Sequence, residues 1–524
     1  MSVHLDRLIA AMSKPGFYPH RPGSVQVIQT HISAIFIAGD LVYKIKKPVG
    51  FCFLDFTTLE KRRFFCQREV VLNSRFSEGV YLGVVSIHED ASEINLEGRG
   101  LEIEVAVLMR HLPEERIMLK MLDQDRVTHE LLDRLADRVA SIHSASPTGP
   151  GIATYGSFEV ITQNVRENFD QTESYVDRTI DPQTRQAVLD LAIDFMRGHR
   201  DLFERRIVHG FIKDCHGDLH LDHVVILNGI VLFDCIEFND RFRYGDTASD
   251  LGFLLMDLDF RGFPAFGERV SHRYAATSGD DDVLKLLGFY KAYRAFVRGK
   301  VLGFTLDEPE VSQAEKDTAA QTARDYFALS LSCLLPPPRP ALIITSGLTG
   351  TGKSFLADKL GKRLGIQALR SDVIRKQILG LPTTEHHLDK YGEGIYTSTS
   401  TEAAYRVLLD RAREALTRNE SVILDASFMR GADRIAARKI AAESKAQFRI
   451  LECMSPEDVA FQRLRQRARS KNEPSDGRWE IYREQRQRFE PVADDELPYW
   501  RQWDSTKDPN PFLMRLVREV MTQG

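Results

Sequence analysis

Apolar positions change their spacing along the chain. Between about 25 and 110 they come in short runs: VQVIQTH, AIFIAGD, LVYKIKK, YLGVVSIHE and LEIEVAVLM. Runs of this length, rich in β-branched residues, predict strands. A helical stretch from about Thr58 to Phe76 interrupts them. The Ala38-Gly39-Asp40 turn between two apolar runs predicts a hairpin. From about 115 to 330 the spacing is mostly helical, broken by VVILNGIVLFDCIEF with a second hairpin turn at Asn228-Gly229. After residue 341 strands and helices alternate, which predicts a parallel sheet.

The pattern breaks most sharply at Leu335 to Pro340, LPPPRP. Consecutive prolines neither continue a helix nor join a central strand. The expected organisation is therefore a first domain, 1–335, with a β-rich lobe at about 20–112 and a helical lobe at about 113–335. A proline-rich linker, 336–340, leads to a second domain, 341–524. A chain of 524 residues is too long for one core, since cores stop growing at roughly 250–300 residues.

Charge and cysteine content narrow the class. The net charge is −5 and the pI about 6.3, which argues against a general nucleic-acid or membrane-surface binder. Cys52, Cys66, Cys215, Cys235, Cys333 and Cys453 are scattered, with no C-x-x-C pair, as suits thiols in a reducing compartment. No apolar run approaches the ~20 residues of a membrane span, and the first residues lack the apolar core of a signal peptide. A cytoplasmic protein with no membrane partner is expected. Oligomeric state is left open.

The sequence GLTGTGKS, Gly347 to Ser354, matches G-x-x-x-x-G-K-S/T in full. It follows the strand ALIIT and opens an apparent helix, the context in which backbone N–H groups cradle phosphates. Gly347, Thr349, Gly350, Thr351 and Gly352 are expected to wrap ATP. Lys353 would reach the β- and γ-phosphates, and Ser354 would hold Mg²⁺. The next strand, SVILDAS, ends in Asp425, which suits a second magnesium-organising group, or else a helix cap. Between them, in LRSDVIRK, Asp372 and Arg375 sit one helical turn apart. Asp372 is either a base for the attacking hydroxyl or a helix N-cap. Arg463, Arg465, Arg467 and Arg469 crowd one short helix, as a closing lid or as a solvated basic face. With GLTGTGKS, RSDVIRK and ILDASF, this region resembles the small P-loop kinases grouped with gluconate kinases, polynucleotide kinases and zeta-type toxins.

In the first domain CHGDLHLDHVV, Cys215 to Val225, is followed by LFDCIEFN with Asp234. An Asp near a substrate hydroxyl and another on Mg²⁺ is an arrangement kinases use. His216, His220 and His223 offer the alternative of a metal site. The segment resembles the catalytic loop of aminoglycoside phosphotransferases, H-G-D-L-H-x-x-N. The resemblance implies Asp218 as catalytic base and Asp234 as the main magnesium ligand. It puts His223 where the family has a metal-binding asparagine. YGDTASDLGFL implies that Asp250 braces the loop. Lys44, on the strand LVYKIKKP, takes the part of the phosphate-binding lysine, with Glu69 as its ion-pair partner or as a solvated glutamate. No glycine-rich loop precedes Lys44. Glu104 to Pro113 corresponds to the hinge that would hold adenine. Lys291, Arg294, Arg298 and Lys300 are expected to form a polar helix face, or else to contact an anionic substrate or the neighbouring domain.

The fold class expected is α/β and α+β: a two-lobed protein-kinase-like domain followed by a parallel-sheet P-loop NTPase domain. The order resembles bacterial fusion proteins described as aminoglycoside phosphotransferase-like, AAA-type ATP-binding proteins. It implies an ATP- and Mg²⁺-dependent transferase acting on a small-molecule hydroxyl or a nucleic-acid end. The alternatives are one active P-loop kinase regulated by the first domain, and a non-catalytic ATP-driven switch.

Overall fold

The computed structural model describes residues 3–51, 53–91, 93–309, 311–382, 397–467 and 478–522. The chain divides into two compact units. Met1–Asp257 with Gly267–Leu334 form the first, and Leu258–Phe266 with Leu335–Gly524 the second. No helix among the described residues is long and apolar enough to cross a membrane.

The first unit opens with a sheet. Its strands are β1 (Val25–Gln29), β2 (Ser33–Ala38), β3 (Leu41–Lys46), β4 (Tyr81–Glu89), β5 (Ile94–Asn95) and β6 (Leu101–Arg110), in the order β1-β2-β3-β6-β4-β5. Neighbours are antiparallel throughout. Gly39, with φ of 66°, makes the tight β2–β3 turn predicted from the sequence. Helix α1 (Leu59–Asn73) is capped by Thr58, whose side chain accepts from the Lys61 N–H at 3.2 Å.

The period of two along β3 decides which residues α1 meets. Tyr43 and Ile45 join Leu5, Leu8 and Phe36 in one core, while Val42 joins Cys66 of α1 in another. Lys44 and Lys46 share parity with Val42 and so turn toward α1. Four short strands follow: β7 (Ile212–Asp214), β8 (Val224–Ile226), β9 (Ile230–Leu232) and β10 (Tyr244–Asp246). β8 and β9 form the hairpin expected at Asn228-Gly229, and β10 pairs with β7. Helices α2 (Thr247–Phe260) and α3 (Val283–Phe304) come next.

The second unit is built on β11 (Ala341–Ser346), β12 (Ala368–Arg370), β13 (Val422–Asp425), β14 (Gln447–Met454) and β15 (Trp500–Asp504). All pairings are parallel, in the order β12-β13-β11-β14-β15. Every residue of β11 is buried, because parallel strands are covered on both faces. Leu342 and Ile344 enter one core, and Ala341 and Ile343 the other. The helices are α4 (Lys353–Leu364), α5 (Ser371–Ile378), α6 (Ser398–Thr417), α7 (Gly431–Glu443), α8 (Glu457–Arg467), α9 (Trp479–Arg488) and α10 (Pro509–Thr522).

Candidate active sites

In the first unit, Lys44 reaches two carboxylates far apart in sequence. Its Nζ donates to Glu69 Oε1 at 2.9 Å and to Asp234 Oδ1 at 2.6 Å. Burial works against the ammonium, but Asp234 and Glu69 outweigh it and hold the pKa well above the usual lysine value. Glu69 is fully buried. Its other oxygen accepts from Lys46 at 2.7 Å, and Lys46 also pairs with Glu237. Burial alone would raise the pKa of Glu69; Lys44 and Lys46 bring it below the usual range. No sequence motif marks Glu237 or the role of Lys46.

The loop from Cys215 to His223 is fastened by Asp250 of α2. The carboxylate accepts from the N–H of His216 at 2.7 Å and of Gly217 at 2.8 Å. Gly217 has φ of 84°, and a Cβ there would lie 2.7 Å from the Phe242 carbonyl, so the bend requires glycine. His216 donates from Nε2 to the Phe233 carbonyl at 2.9 Å, because a carbonyl only accepts. Its Nδ1 then accepts from the Asp218 N–H at 3.3 Å. Burial lowers the His216 pKa to about 4, keeping the ring neutral.

Asp218 and Asp234 remain about one-third exposed beside His223. The Asp218 carboxylate lies 3.6 Å from both His220 Nε2 and His223 Nδ1. Burial pushes its pKa up, but hydrogen bonding to His220 and the nearby cations bring it well below the usual range. Asp234 is also lowered, with burial outweighed by Lys44 and then His223. Asp234 has φ of 59°, a conformation unusual for a non-glycine residue. Tyr81 and Asn73 hold it: the Asp234 N–H donates to the Tyr81 hydroxyl at 3.1 Å, and the Cys235 N–H to Asn73 Oδ1 at 2.9 Å.

The polar-face reading of α3 is corrected. Arg294 donates to the Gly217 carbonyl at 3.0 Å and to Ser249 Oγ at 3.1 Å. Burial lowers the Arg298 pKa, but Tyr326, Asp218 and Asp257 outweigh it. Lys300 donates to Asn168 and Gln171 at 2.7 and 2.6 Å. These cations turn inward because Gly217 of the loop, Ser249 of α2, and Asn168 and Gln171 supply acceptors that water would otherwise provide. In the stretch proposed as hinge, Glu104–Arg110 belong to β6, and Glu104 pairs with Arg62 at 2.8 Å.

In the second unit, residues 347–352 form the bend between β11 and α4. Gly347, Gly350 and Gly352 all have positive φ. A Cβ on Gly347 would lie 2.5 Å from the Cys453 carbonyl. Lys353 Nζ donates across the loop to the Leu348 carbonyl at 2.7 Å, and Thr351 Oγ1 donates to the same oxygen at 2.8 Å. Asp425, at the end of β13, accepts from Thr345 Oγ1 at 3.3 Å and is hydrogen-bonded to Ser354. Burial raises its pKa despite Ser354, Lys353 and Arg370. Asp372 is the second residue of α5, whose N-cap is Arg370, so the N-cap reading of Asp372 does not hold; Arg375 Nη1 donates to it at 2.8 Å.

Of the arginines on α8, Arg463 lies beside the loop. It donates to Ser505 Oγ at 2.6 Å and to the Ser505 carbonyl at 2.8 Å, and a Cβ on Gly352 would come 3.8 Å from it. Arg465 is exposed. The side chain of Arg467, and Arg469 altogether, lie outside the described residues. Gln485 of α9 accepts from the Thr349 N–H at 2.7 Å, a contact with no local signal in the sequence.

Two family models match the chain. One, described as "Phosphotransferase enzyme family", matches residues 83–287. The other, described as "AAA domain", matches residues 342–492. "Uncharacterized protein Rv2004c" of Mycobacterium tuberculosis (strain H37Rv) is 31% identical over 445 residues, covering 85% of this chain and 86% of that protein. Among solved structures, a choline/ethanolamine kinase family protein from Mesorhizobium loti is 14% identical, covering 63% of this chain and 99% of its own, with a TM-score of 0.36. A gluconokinase from Sinorhizobium meliloti 1021 is 17% identical, covering 35% and 93%, with a TM-score of 0.25.

The protein is thus an enzyme of the phosphotransferase class, with a phosphotransferase-family domain followed by a P-loop kinase domain. It belongs to the family of the mycobacterial protein Rv2004c.

Proposed function

We propose that the protein transfers the γ-phosphate of ATP to a hydroxyl of a small molecule, through the P-loop unit and also through the first unit. The observation that carries this reading is the loop from Gly347 to Ser354. A glycine-dependent bend at the end of a buried strand sets Lys353 against the Leu348 carbonyl, with Asp425 hydrogen-bonded to Ser354 beside it. Such a bend favours a polyphosphate, because N–H groups, a helix N-terminus and an ammonium converge on it.

Ser354 and Asp425 are oxygen donors, a set that fits Mg²⁺. When bound, the ion neutralises phosphate charge. Lys353 would leave the Leu348 carbonyl for the phosphates. Asp372 would accept the proton of the attacking hydroxyl while Arg375 orients it. Arg463 supports a role at the nucleotide, and Arg465 and Arg467 are assigned to a closing lid. In the first unit Asp218 would be the base, Lys44 the phosphate-binding cation with Glu69 as its ion-pair partner, and Asp234 the main ligand of the divalent ion. An oligonucleotide end is the competing acceptor. A second reading, in which the first unit only binds nucleotide and regulates the P-loop kinase, is favoured by the imidazole of His223 beside Asp218 and Asp234.

The test is phosphoryl transfer from labelled ATP to a panel of hydroxyl metabolites and oligonucleotide ends. Lys353→Ala and Asp218→Ala chains are compared with the wild type. Each substitution is expected to remove one activity. Full activity in Lys353→Ala would end the P-loop reading. Full activity in Asp218→Ala would leave the regulatory one.

A further inference from the structure

We propose that the first unit binds a divalent transition-metal ion, of the Mn²⁺, Co²⁺ and Zn²⁺ class, in preference to Mg²⁺, through His223 Nε2 and Asp234 Oδ2. This deepens the kinase reading of that unit and rests on it for the ion's purpose, though not for its binding.

The orientation of His223 follows from one backbone contact. Its Nδ1 lies 2.8 Å from the Asp218 carbonyl. That oxygen only accepts, so Nδ1 carries a proton, and in the neutral ring Nε2 is the nitrogen with the lone pair. An imidazole held from behind by a backbone carbonyl is the usual way a metal-binding tautomer is fixed. The lone pair faces Asp234 Oδ2 at 3.8 Å. The other oxygen of Asp234 is taken by Lys44 at 2.6 Å. Lys44 thereby fixes the carboxylate plane with Oδ2 toward the imidazole. The left-handed backbone at Asp234 is held in turn by Tyr81 and Asn73.

Asp218 and His220 lie toward the other nitrogen of the ring: Asp218 Oδ2 is 3.6 Å from His223 Nδ1, and His220 sets its two nitrogens against Asp218 and Asp222, at 3.6 and 3.8 Å. The site therefore rests on one imidazole nitrogen and one carboxylate oxygen, a mixed nitrogen and oxygen pair. Mg²⁺ is a hard ion that takes oxygen ligands and gives up water reluctantly. Imidazole nitrogen suits first-row transition ions, whose affinity for such sites exceeds that of Mg²⁺. Water and nucleotide oxygens would fill the remaining positions.

The experiment uses the full chain, stripped with chelator and free of nucleotide. Co²⁺ alone is titrated in, and its visible d–d absorption is read with and without excess Mg²⁺. The wild type is expected to develop the band, and excess Mg²⁺ to leave it in place. His223→Asn should weaken Co²⁺ binding by at least about tenfold, the low end of what losing even an outer partner costs. Asp234→Asn should weaken it comparably, with far-ultraviolet circular dichroism unchanged in both. Displacement of Co²⁺ by Mg²⁺, or an unaltered band in both folded variants, overturns the proposal. A fluorescent ATP analogue added to the Lys353→Ala chain separates the two readings. Nucleotide bound with no Co²⁺ preference overturns the metal site alone. Co²⁺ held through His223 with no nucleotide bound supports the metal site and overturns only the kinase reading of this unit.

Discussion

Replacing Asp250 by Asn tests how the Cys215–His223 loop is held. The carboxylate of Asp250 is buried and accepts two backbone N–H groups, from His216 at 2.7 Å and Gly217 at 2.8 Å. Asparagine keeps one oxygen and presents an amide donor to the second N–H. One charge-assisted hydrogen bond is lost, worth about 1.5–3 kcal/mol, and a buried donor is left without an acceptor, so a total of about 2–4 kcal/mol is expected. That is a large share of the roughly 5–15 kcal/mol that holds a domain together. The assay is urea unfolding followed by two signals. Trp479, Trp500 and Trp503 are the only tryptophans and all lie in the second unit, so their emission reports that unit. Far-ultraviolet circular dichroism reports both. Asp250→Asn should lower the dichroism transition and leave the tryptophan transition in place. An unchanged dichroism midpoint would refute the bracing argument. So would a loss confined to tryptophan emission.

Two further outcomes follow from the buried charges of the first unit. Glu69→Gln leaves Lys44 and Lys46 without the carboxylate they share, which should destabilise this unit by about 3–5 kcal/mol in the same assay; a loss under about 1 kcal/mol would mean that Asp234 and Glu237 suffice. His216 is held neutral in the fold, with its pKa lowered by burial from 6.5 to about 4. Between those values the unfolded chain binds the extra proton, so stability rises with pH across that window and falls toward acid, by about 3 kcal/mol for this group. An NMR titration should find the His216 ring unprotonated until near pH 4, and titration at its ordinary value would contradict the hydrogen-bond assignment.

The local parts of both sites are legible in the residues themselves. GLTGTGKS after a buried strand is a phosphate-binding bend because glycine is needed at Gly347, where a Cβ would strike the Cys453 carbonyl. Asn228-Gly229 turns a hairpin, Thr58 caps a helix, and the period of two on β3 sends Lys44 and Lys46 to one face. These features depend on backbone conformation and on spacing within one element, and a sequence carries both directly.

What joins the elements was decided by packing. Lys44 meets Glu69 and Asp234 across 25 and 190 positions, and the Thr349 N–H meets Gln485 across 136. Arg294 turns toward Gly217 rather than water, across 77. His223 could have been a stray imidazole in the loop. The Asp218 carbonyl behind one nitrogen and Asp234 before the other make it a candidate ligand. Periodicity says which face of an element is apolar, and it is silent on which distant carboxylate that face will meet. Such pairs form only once the cores have closed, when a buried charge must find its partner or lose stability.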